Sequence, residues 1–419
     1  MTYYFTSITA NYFAKARVLC KTLKEFNPEV FFVLVITGCL PEGIELEQEP
    51  FDYVIPADSL SGIDNRDIFF FMHSITEICT AVKPMAALEI IHRYHATKVV
   101  YLDPDIAVFS SLQELDQLLD DYSMLFTPHQ LKPEDDDSYV KSNEILFLKR
   151  GTYNLGFFAV KADEEGIRFL TWWKDRLLHY CFDDDYKLID ALERDGLLGM
   201  FTDQKWIDLV PAFFDRYYIL KDPGYNVSTW NMTHRVLTRG GDGKTKVNGK
   251  QLRFFHFSGF DSQGHHNEMQ RAIEYNNDNR DAVQLSKWYE AALLDSEQKK
   301  FERIPGPYAH YSDGTRIDSK DRKLLHIRKD VHQYFPDPFK IVEGTCFFSW
   351  VRKEYAQYYI ERCERRADGV SPAGSMIESF VRSNMMKRVN KILFPPFSER
   401  RRWAKRVYDR VRRPQRSFL

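Results

Sequence analysis

Four short segments hold side chains whose types and spacing suit chemistry. In YLDPDIAVF (101–109), Asp103 and Asp105 follow an apolar run two residues apart, so both carboxylates can lie on one side, and Pro104 stiffens the turn that holds them. Such a pair is half of a hard-cation site, since Mg²⁺ or Mn²⁺ accepts one or two protein carboxylates and leaves positions open for substrate phosphate oxygens. The plainer account is a turn whose Asp residues cap a helix near Leu112. In FFHFSGF (254–260), His256 interrupts an apolar strand and is followed by Ser258 and Gly259, where the backbone can approach a ligand closely. A satisfied core histidine is the competing reading there. Asp203 and Gln204 in FTDQKWIDLVP (201–211) precede a helical run, with Asp203 an N-cap in the plainer account. Asn154 and Gly156 in GTYNLGFFAV (151–160) open a strand, or form an ordinary turn.

These residues need elements to position them, and the first third of the chain supplies an alternation of β-rich and helical runs that predicts a parallel α/β sheet. YYFTSI, FFVLVIT, DYVIPA and KVVYLD read as strands. Phe13 to Phe26 reads as a helix with Ala14, Val18, Leu19, Leu23 and Phe26 on one side, and Ile75 to Tyr94 as one long helix, giving the order β-α-β-β-α-β. Continuous runs such as FFVLVI fit central strands covered on both faces. Further on, NLGFFAV reads as a strand, Gly166 to Tyr180 as an amphipathic helix, and Phe254 to Phe257 as a strand reached through a hairpin tip at RGGDGK. The segment DPGYNVSTWN (222–231), with amides around Tyr225 and Trp230, reads as a loop lining a pocket. Beyond about Gly264 the pattern turns helical, with Ala282 to Lys300, Glu354 to Arg366 and Met376 to Leu393 as predicted helices. The expected division is 1–264 as the catalytic unit, 265–375 as a helical accessory region and 376–419 as a basic tail.

The 419 residues, 44% apolar and 28% charged, exclude a peptide or a small disulfide scaffold, and no apolar run approaches a membrane span. Met1 leads straight into YYFTSI with no basic start and apolar stretch, so a cytoplasmic protein is expected. Six scattered cysteines without a CxxC pair suit reduced thiols. The net charge of −2 conceals an asymmetry. From Ser379 onward there are thirteen Lys and Arg against Glu399 and Asp409, a charge of +11 that leaves −13 on the remainder. Trp403, Val407 and Val411 recur every four residues among Arg400, Arg401, Arg402, Lys405, Arg406, Arg410, Arg412 and Arg413, the pattern of an interfacial helix docking on an anionic membrane. No nucleic-acid partner is expected, because no folded RNA-binding motif accompanies the charge.

The ordered set FTSITANYFAKARVL, Lys83 in TAVKP, YLDPD, NLGFF, TDQ and HFSG resembles the GT-A glycosyltransferases, in particular the retaining glycosyltransferase family 8 that includes glycogenin and bacterial galactosyltransferases. The likeness spans roughly residues 1 to 260 and rests on five or six short motifs in order. It implies a GT-A fold, a mostly parallel central sheet flanked by helices, with a helical C-terminal extension. It implies further that Asp103, Asp105 and His256 hold Mn²⁺ or Mg²⁺, that Lys83 lies near the sugar-nucleotide, and that Ser7, Thr9 and Asn11 receive the base and ribose. By the same likeness Asn154 and Gly156 flank the donor sugar, Gly259 lies in the donor-binding turn, and Asp203 with Gln204 flanks the reacting carbon. Two departures stand out: Lys205 occupies the third place of the family's DQD, and HFSGFDSQGHH lacks the family's phosphate-binding Lys, which leaves His265, His266 or a distant base for that task.

The chemistry implied is transfer of a sugar from a nucleotide sugar, a UDP-sugar first, to a glycan or lipid-linked acceptor, with retention and a place in surface-polysaccharide synthesis. Departure of a nucleoside diphosphate concentrates negative charge that a divalent ion and Lys83 would stabilise, while Asp203 would face the developing positive charge. A nucleotidyltransferase would want a Gly-rich phosphate loop after the first strand, and SITANYFAKA has no glycine. A non-catalytic membrane-associated scaffold with a transferase-like body is the third reading.

Overall fold

In the computed structural model, residues 1–183, 200–241, 243–260, 269–270, 273 and 279–356 are described. The predicted helix from Met376, all but the first turn of that from Glu354, the basic tail, His265 and His266 lie outside the described residues. The chain divides into two units, Met1–Ser349 and Trp350–Leu419, and every strand among the described residues belongs to the first. Among the described residues no helix is long and apolar enough to cross a membrane.

The core is a seven-stranded α/β sheet. Its strands are β1 (Thr2–Thr9), β2 (Phe31–Thr37), β3 (Tyr53–Pro56), β4 (Lys98–Leu102), β6 (Met124–Pro128), β7 (Tyr153–Lys161) and β8 (Tyr217–Ile219), in the order β3-β2-β1-β4-β7-β6-β8. All neighbours pair in parallel except β7, which runs against both β4 and β6. The apolar runs explain the centre, since β1 and β2 are buried on both faces almost throughout. Helix α1 (Phe13–Phe26) buries Ala14, Val18, Leu19 and Leu23, whereas Phe26, expected on that stripe, lies exposed in the last turn.

Three differences from the sequence expectation matter for the site. Helix α2 (Arg66–Met72), capped by the Asn65 side chain, has no counterpart among the predicted elements. The predicted 75–94 helix is two, α3 (Ile75–Ala81), which starts at a Ser74–Glu77 capping box, and α4 (Lys83–Tyr94). Pro84 explains the break: it has no N–H to continue α3 but fits the first turn of α4. Lys83 thereby stands at a helix start with its side chain buried. Strand β5 (Ile106–Val108) leaves the main sheet after the DPD turn and pairs antiparallel with β12 (Phe254–His256).

Across the RGGDGK turn, β9 (Leu237–Arg239) and β10 (Thr245–Val247) form the expected hairpin, extended by β11 (Lys250–Gln251). The predicted 282–300 helix runs from Arg280 to Asp295 and restarts at Gln298, because Glu297 takes a left-handed φ of 66°. That restart is anchored to α1, where Arg17 pairs with Glu49 and Glu297 and lies over the rings of Phe13 and Phe301.

Candidate active site

Strand direction assembles the site. In open α/β sheets ligands collect at the carboxyl ends of parallel strands, and here β1 and β4, paired in parallel from Thr2↔Lys98 to Phe5↔Tyr101, both end on the same side of the sheet, with β1 running on to Thr9. Because β7 runs the other way, its beginning, Tyr153 to Gly156, lies at that same edge, and the Asp103 N–H donates to the Gly156 carbonyl at 2.8 Å. The β5–β12 ladder sets His256 opposite Ile106, next to Asp105, and the Phe257 N–H donates to the Asp105 carbonyl at 2.8 Å. A residue about 150 positions away in sequence is thus brought in by register alone.

Asp103, Asp105 and His256 each offer a ligand atom, and these atoms lie within 4.8 Å of one another. His256 Nε2 is 3.1 Å from Asp105 Oδ1 and 3.6 Å from Asp103 Oδ2. Cis ligands held about 2.2 Å from an ion are about 3.1 Å apart, so the spacing suits a small divalent cation. The other oxygen of Asp103 is engaged elsewhere: it accepts from the Tyr101 hydroxyl at 2.6 Å and lies 3.6 Å from Lys83 Nζ. Burial opposes ionisation of Asp105, but His256 beside it and Lys15 overrule that and bring its pKa to about 2. For His256 burial works downward, and Asp105 and Asp103 outweigh it, so its pKa is raised.

Lys83 forms the second half of the site. It is 2% exposed, and its ammonium donates to the Leu155 carbonyl at 2.9 Å, pairs with Asp203 Oδ2 at 2.8 Å and lies 4.4 Å from the centre of the Tyr101 ring. Burial pulls its pKa down, and the two carboxylates, Asp103 and Asp203, more than restore it. Asp203 is equally buried and its pKa is raised, by burial first, with Lys83 opposing. The ion pair's geometry, with a second carboxylate within reach of the same ammonium, keeps Lys83 charged. The plainer reading of Asp203 fails on geometry, because at the N-cap position of the 204–209 helix its side chain makes no capping bond. Nor does Asp103 or Asp105 cap the helix after Leu112.

Gly156 is fixed by contact. A Cβ there would sit 2.5 Å from His256 Cε1 and 2.8 Å from Asn154 Oδ1. Gln204 uses its amide on backbone, donating to the Arg150 carbonyl at 2.9 Å and facing the Leu155 N–H. Lys205, the departure from DQD, turns away to the Leu148 carbonyl and Asp208, both at 2.7 Å. Ser7, Thr9 and Asn11 occupy the neighbouring strand end, where Thr9 donates to Asn11 at 2.6 Å; among the described residues they join no hydrogen bond of the set around Lys83 and His256. Gly259 is exposed in the turn after β12, at a φ of 62°.

Three residues of the site, Thr127, His129 and Arg235, carry no mark in the sequence, and a fourth, Asn226, is marked only as one of the amides of the DPGYNVSTWN segment. Asn226, inside the DPGYNVSTWN loop, has a left-handed φ of 50°, and its carbonyl accepts from Asn231 Nδ2 at 2.9 Å and Arg235 Nη1 at 3.1 Å. Its side chain reaches Thr127, Asn154 and His256. The β6–β7 register slips between Phe126 and Thr127, which places Thr127 opposite Asn154. Behind them His129 stacks on Phe147 at 4.6 Å and meets Trp230 edge-on, and burial pushes its pKa down to about 3. A cavity of about 380 Å³ opens beside this ring cluster, lined by Gln130, Lys132, Glu144, Phe147, Leu148 and Thr152.

No protein-family model matches the chain. Two curated proteins of Bacillus subtilis (strain 168) are similar in sequence. The uncharacterized protein YfnF is 27% identical over 189 residues, 44% of this chain and 57% of that protein. The uncharacterized protein YfnD is 22% identical over 185 residues, 44% and 54% respectively. The chain thus spans about half the length of the curated relatives it matches. Among solved structures, galactosyltransferase LgtC in complex with donor and acceptor sugar analogs superposes at a TM-score of 0.37 with 17% identity, covering 67% of this chain and 96% of that one. Mouse xyloside xylosyltransferase 1 gives 0.34 at 15% identity, over 62% and 97%. The glycosyltransferase GlyE of Streptococcus pneumoniae TIGR4 gives 0.34 at 15%, over 74% and 66%. Superpositions this loose place no residue of the site.

Proposed function

We propose that the chain is a metal-dependent glycosyltransferase of the GT-A type, moving a sugar from a nucleotide-sugar donor, a UDP-sugar first, to a glycan or lipid-linked acceptor with retention. One observation carries this reading. Two carboxylates and an imidazole face one point at the carboxyl edge of the sheet, and the adjoining Lys83 ammonium bridges from Asp103 to a second, buried carboxylate, Asp203. Asp103, Asp105 and His256 would hold the divalent ion, which when bound neutralises the charge that gathers on a departing diphosphate.

The chain's own residues do the rest. Lys83 is held charged without the rotameric freedom of a surface lysine, so its field at the diphosphate needs no reorganisation during reaction. Asp203, buried and held by Lys83 at 2.8 Å and by the Thr202 hydroxyl at 3.1 Å, would face positive charge developing at the sugar carbon, its own charge partly offset by that ammonium. Asn154 has its oxygen occupied by the Gly156 N–H and Asn226 and one amide N–H at 3.3 Å from His129 Nε2, which leaves one N–H to present on the donor side. The cavity beside Phe147 and Gln130 gives the acceptor a way in.

The test is release of nucleoside diphosphate from a panel of nucleotide sugars with and without Mn²⁺. One UDP-sugar should be cleaved in a Mn²⁺-dependent way. Asp105→Ala should lose both metal dependence and turnover. Asp203→Asn should cut turnover by roughly 10²–10³ while leaving the donor KM within about threefold, because its charge is needed mainly in the transition state. Release of pyrophosphate would point to nucleotidyl transfer instead, and no release from any donor would sink the enzymatic reading.

A further inference from the structure

We propose that Lys15 supplies the positive charge that a nucleotide sugar's diphosphate faces on the Asp105 side of the site. This deepens the glycosyltransferase reading and rests on it. Among the described residues the buried lysines and arginines are Lys15, Lys83 and Arg235. Lys83 serves Asp203 and Asp103, and Arg235 donates to the Asn226 carbonyl. Lys15 is the third residue of α1, and its side chain is buried there. Two effects oppose a lysine at that position: burial disfavours its charge, and the positive end of the helix dipole repels it. Packing alone would be served by an apolar residue, so the cation calls for a use.

The alignment of α1 with the chain that follows the DPD turn shows where this charge lies. Just past the end of α1, Asn27 Oδ1 accepts from the Leu112 N–H at 2.7 Å, and within the helix Thr22 Oγ1 accepts from the Val108 N–H at 3.2 Å. The chain from 108 to 112 therefore runs beside α1 in the same direction. Lys15 and Thr22, seven residues apart, share one face of the helix, and that separation is a rise of about 10 Å. Going back three residues from Val108 along β5 also covers about 10 Å, and it reaches Asp105. Electrostatics agrees with this placement: burial opposes ionisation of Asp105, and Lys15 joins His256 in overcoming it. The Lys15 ammonium also lies 4.3 Å from the centre of the ring of Tyr12, in the turn between β1 and α1, where Thr9 donates to Asn11. It is thus bracketed by the end of β1 and by Asp105.

The charge balance of the site gives it a task. Asp103, Asp105 and Asp203 are matched by a divalent ion at the first two and by Lys83 at the third, so this set presents no net charge to a ligand. A sugar diphosphate arrives with about two negative charges and departs with about three. Lys15 brings the further cation that such a ligand needs, in buried surroundings where a charge acts strongly. The HFSGFDSQGHH segment at the end of β12 holds no lysine or arginine to stand in for it.

Calorimetric titration of the full chain with UDP at saturating Mn²⁺ reads the assignment, and pyrophosphate serves as a probe that does not depend on the base. Lys15→Met should weaken both about 10- to 100-fold, the range for a lost bond to a charged group. Mn²⁺ alone, followed by electron paramagnetic resonance, should bind the variant as tightly as the wild type or more tightly, because a cation beside Asp105 has been removed. A merely structural role gives the opposite pattern, Mn²⁺ affinity lost together with UDP affinity, and would overturn the assignment. So would UDP and pyrophosphate affinities within about twofold of the wild type, well short of that range. If Lys15→Met does not fold, Lys15→Gln, which keeps a polar side chain and gives up the charge, is read by the same criteria. A wild type that binds neither UDP nor pyrophosphate would remove the donor site and this assignment with it, whereas binding that the variant leaves intact would remove only the role of Lys15.

Discussion

A methyl group at position 156 has nowhere to go, since both His256 and the Asn154 oxygen already lie inside its contact radius. Gly156→Ala must therefore push the imidazole off its line to Asp105, and such overpacking costs about 1–3 kcal/mol. The expected result is a tenfold or larger loss of Mn²⁺ affinity with the fold retained, checked by titration and circular dichroism. Unchanged affinity would mean that the ring can shift without leaving the ion. The residues of this site differ in how far the sequence exposes them. Asp103, Asp105 and His256 can be singled out because each interrupts or ends an apolar run, where a polar side chain needs a reason. Lys83 emerges only through motif order, since nothing local marks a lysine at a helix start as buried. Thr127 and Arg235 are silent, and Asn226 is legible only as part of a pocket-lining loop: their roles exist only through the register slip at Phe126 and the bridge between Val227 and Phe255.

At the scale of elements, α2 and the Ser319–Ile327 helix pack together through two buried imidazoles, His73 and His326, with ring centroids 5.6 Å apart. Burial pushes the His73 pKa down to about 4 and the His326 pKa to about 3; Arg322, His179 and Lys329 around them add to this, and Glu77 opposes it at His326. Both rings are therefore neutral in the fold, while in the unfolded chain each titrates near its ordinary value of about 6.5. Below that value the unfolded chain binds protons that the fold refuses. Stability is accordingly full above about pH 6.5 and is lost as pH falls toward 4, by a few kcal/mol for the pair. Urea midpoints at pH 7.5 and 5 should show the drop, and His73→Asn should flatten it; an equal drop in the variant would refute the assignment. Arg322 binds the same junction, donating to the Phe71 carbonyl at 2.6 Å and the His73 carbonyl at 2.9 Å at the end of α2. None of this junction is legible in the sequence. RDIFFFM is too short and too uniformly apolar for its period to distinguish a helix from a buried strand, whereas α1 declares itself through its stripe. The break before α4 is signalled by Pro84, a signal outweighed by the apolar periodicity running through it.

For the whole molecule, the charge asymmetry remains the boldest property of the sequence, with +11 beyond Ser379 set against an acidic remainder. Each cation near an anionic bilayer contributes on the order of 1 kcal/mol, so the tail is proposed to hold the protein at such a surface, where a lipid-linked acceptor would be met. Co-sedimentation of the full chain with anionic vesicles, compared with a chain ending at Ser379, should show binding lost on truncation; equal binding of both, or no preference for anionic lipid, would dismiss the proposal. The β5–β12 ladder bears on the molecule in another way. It joins stretches about 150 residues apart, a closure that costs the chain entropy however slowly that cost grows with length. The cation proposed to bind Asp103, Asp105 and His256 would be a clasp on that closure, a reversible cross-link that would strengthen the fold by about 2.7 kcal/mol at a concentration a hundred times its Kd. Chelation would then open the clasp as well as empty the site, and the protein handled in a chelating buffer would be an easier chain to unfold.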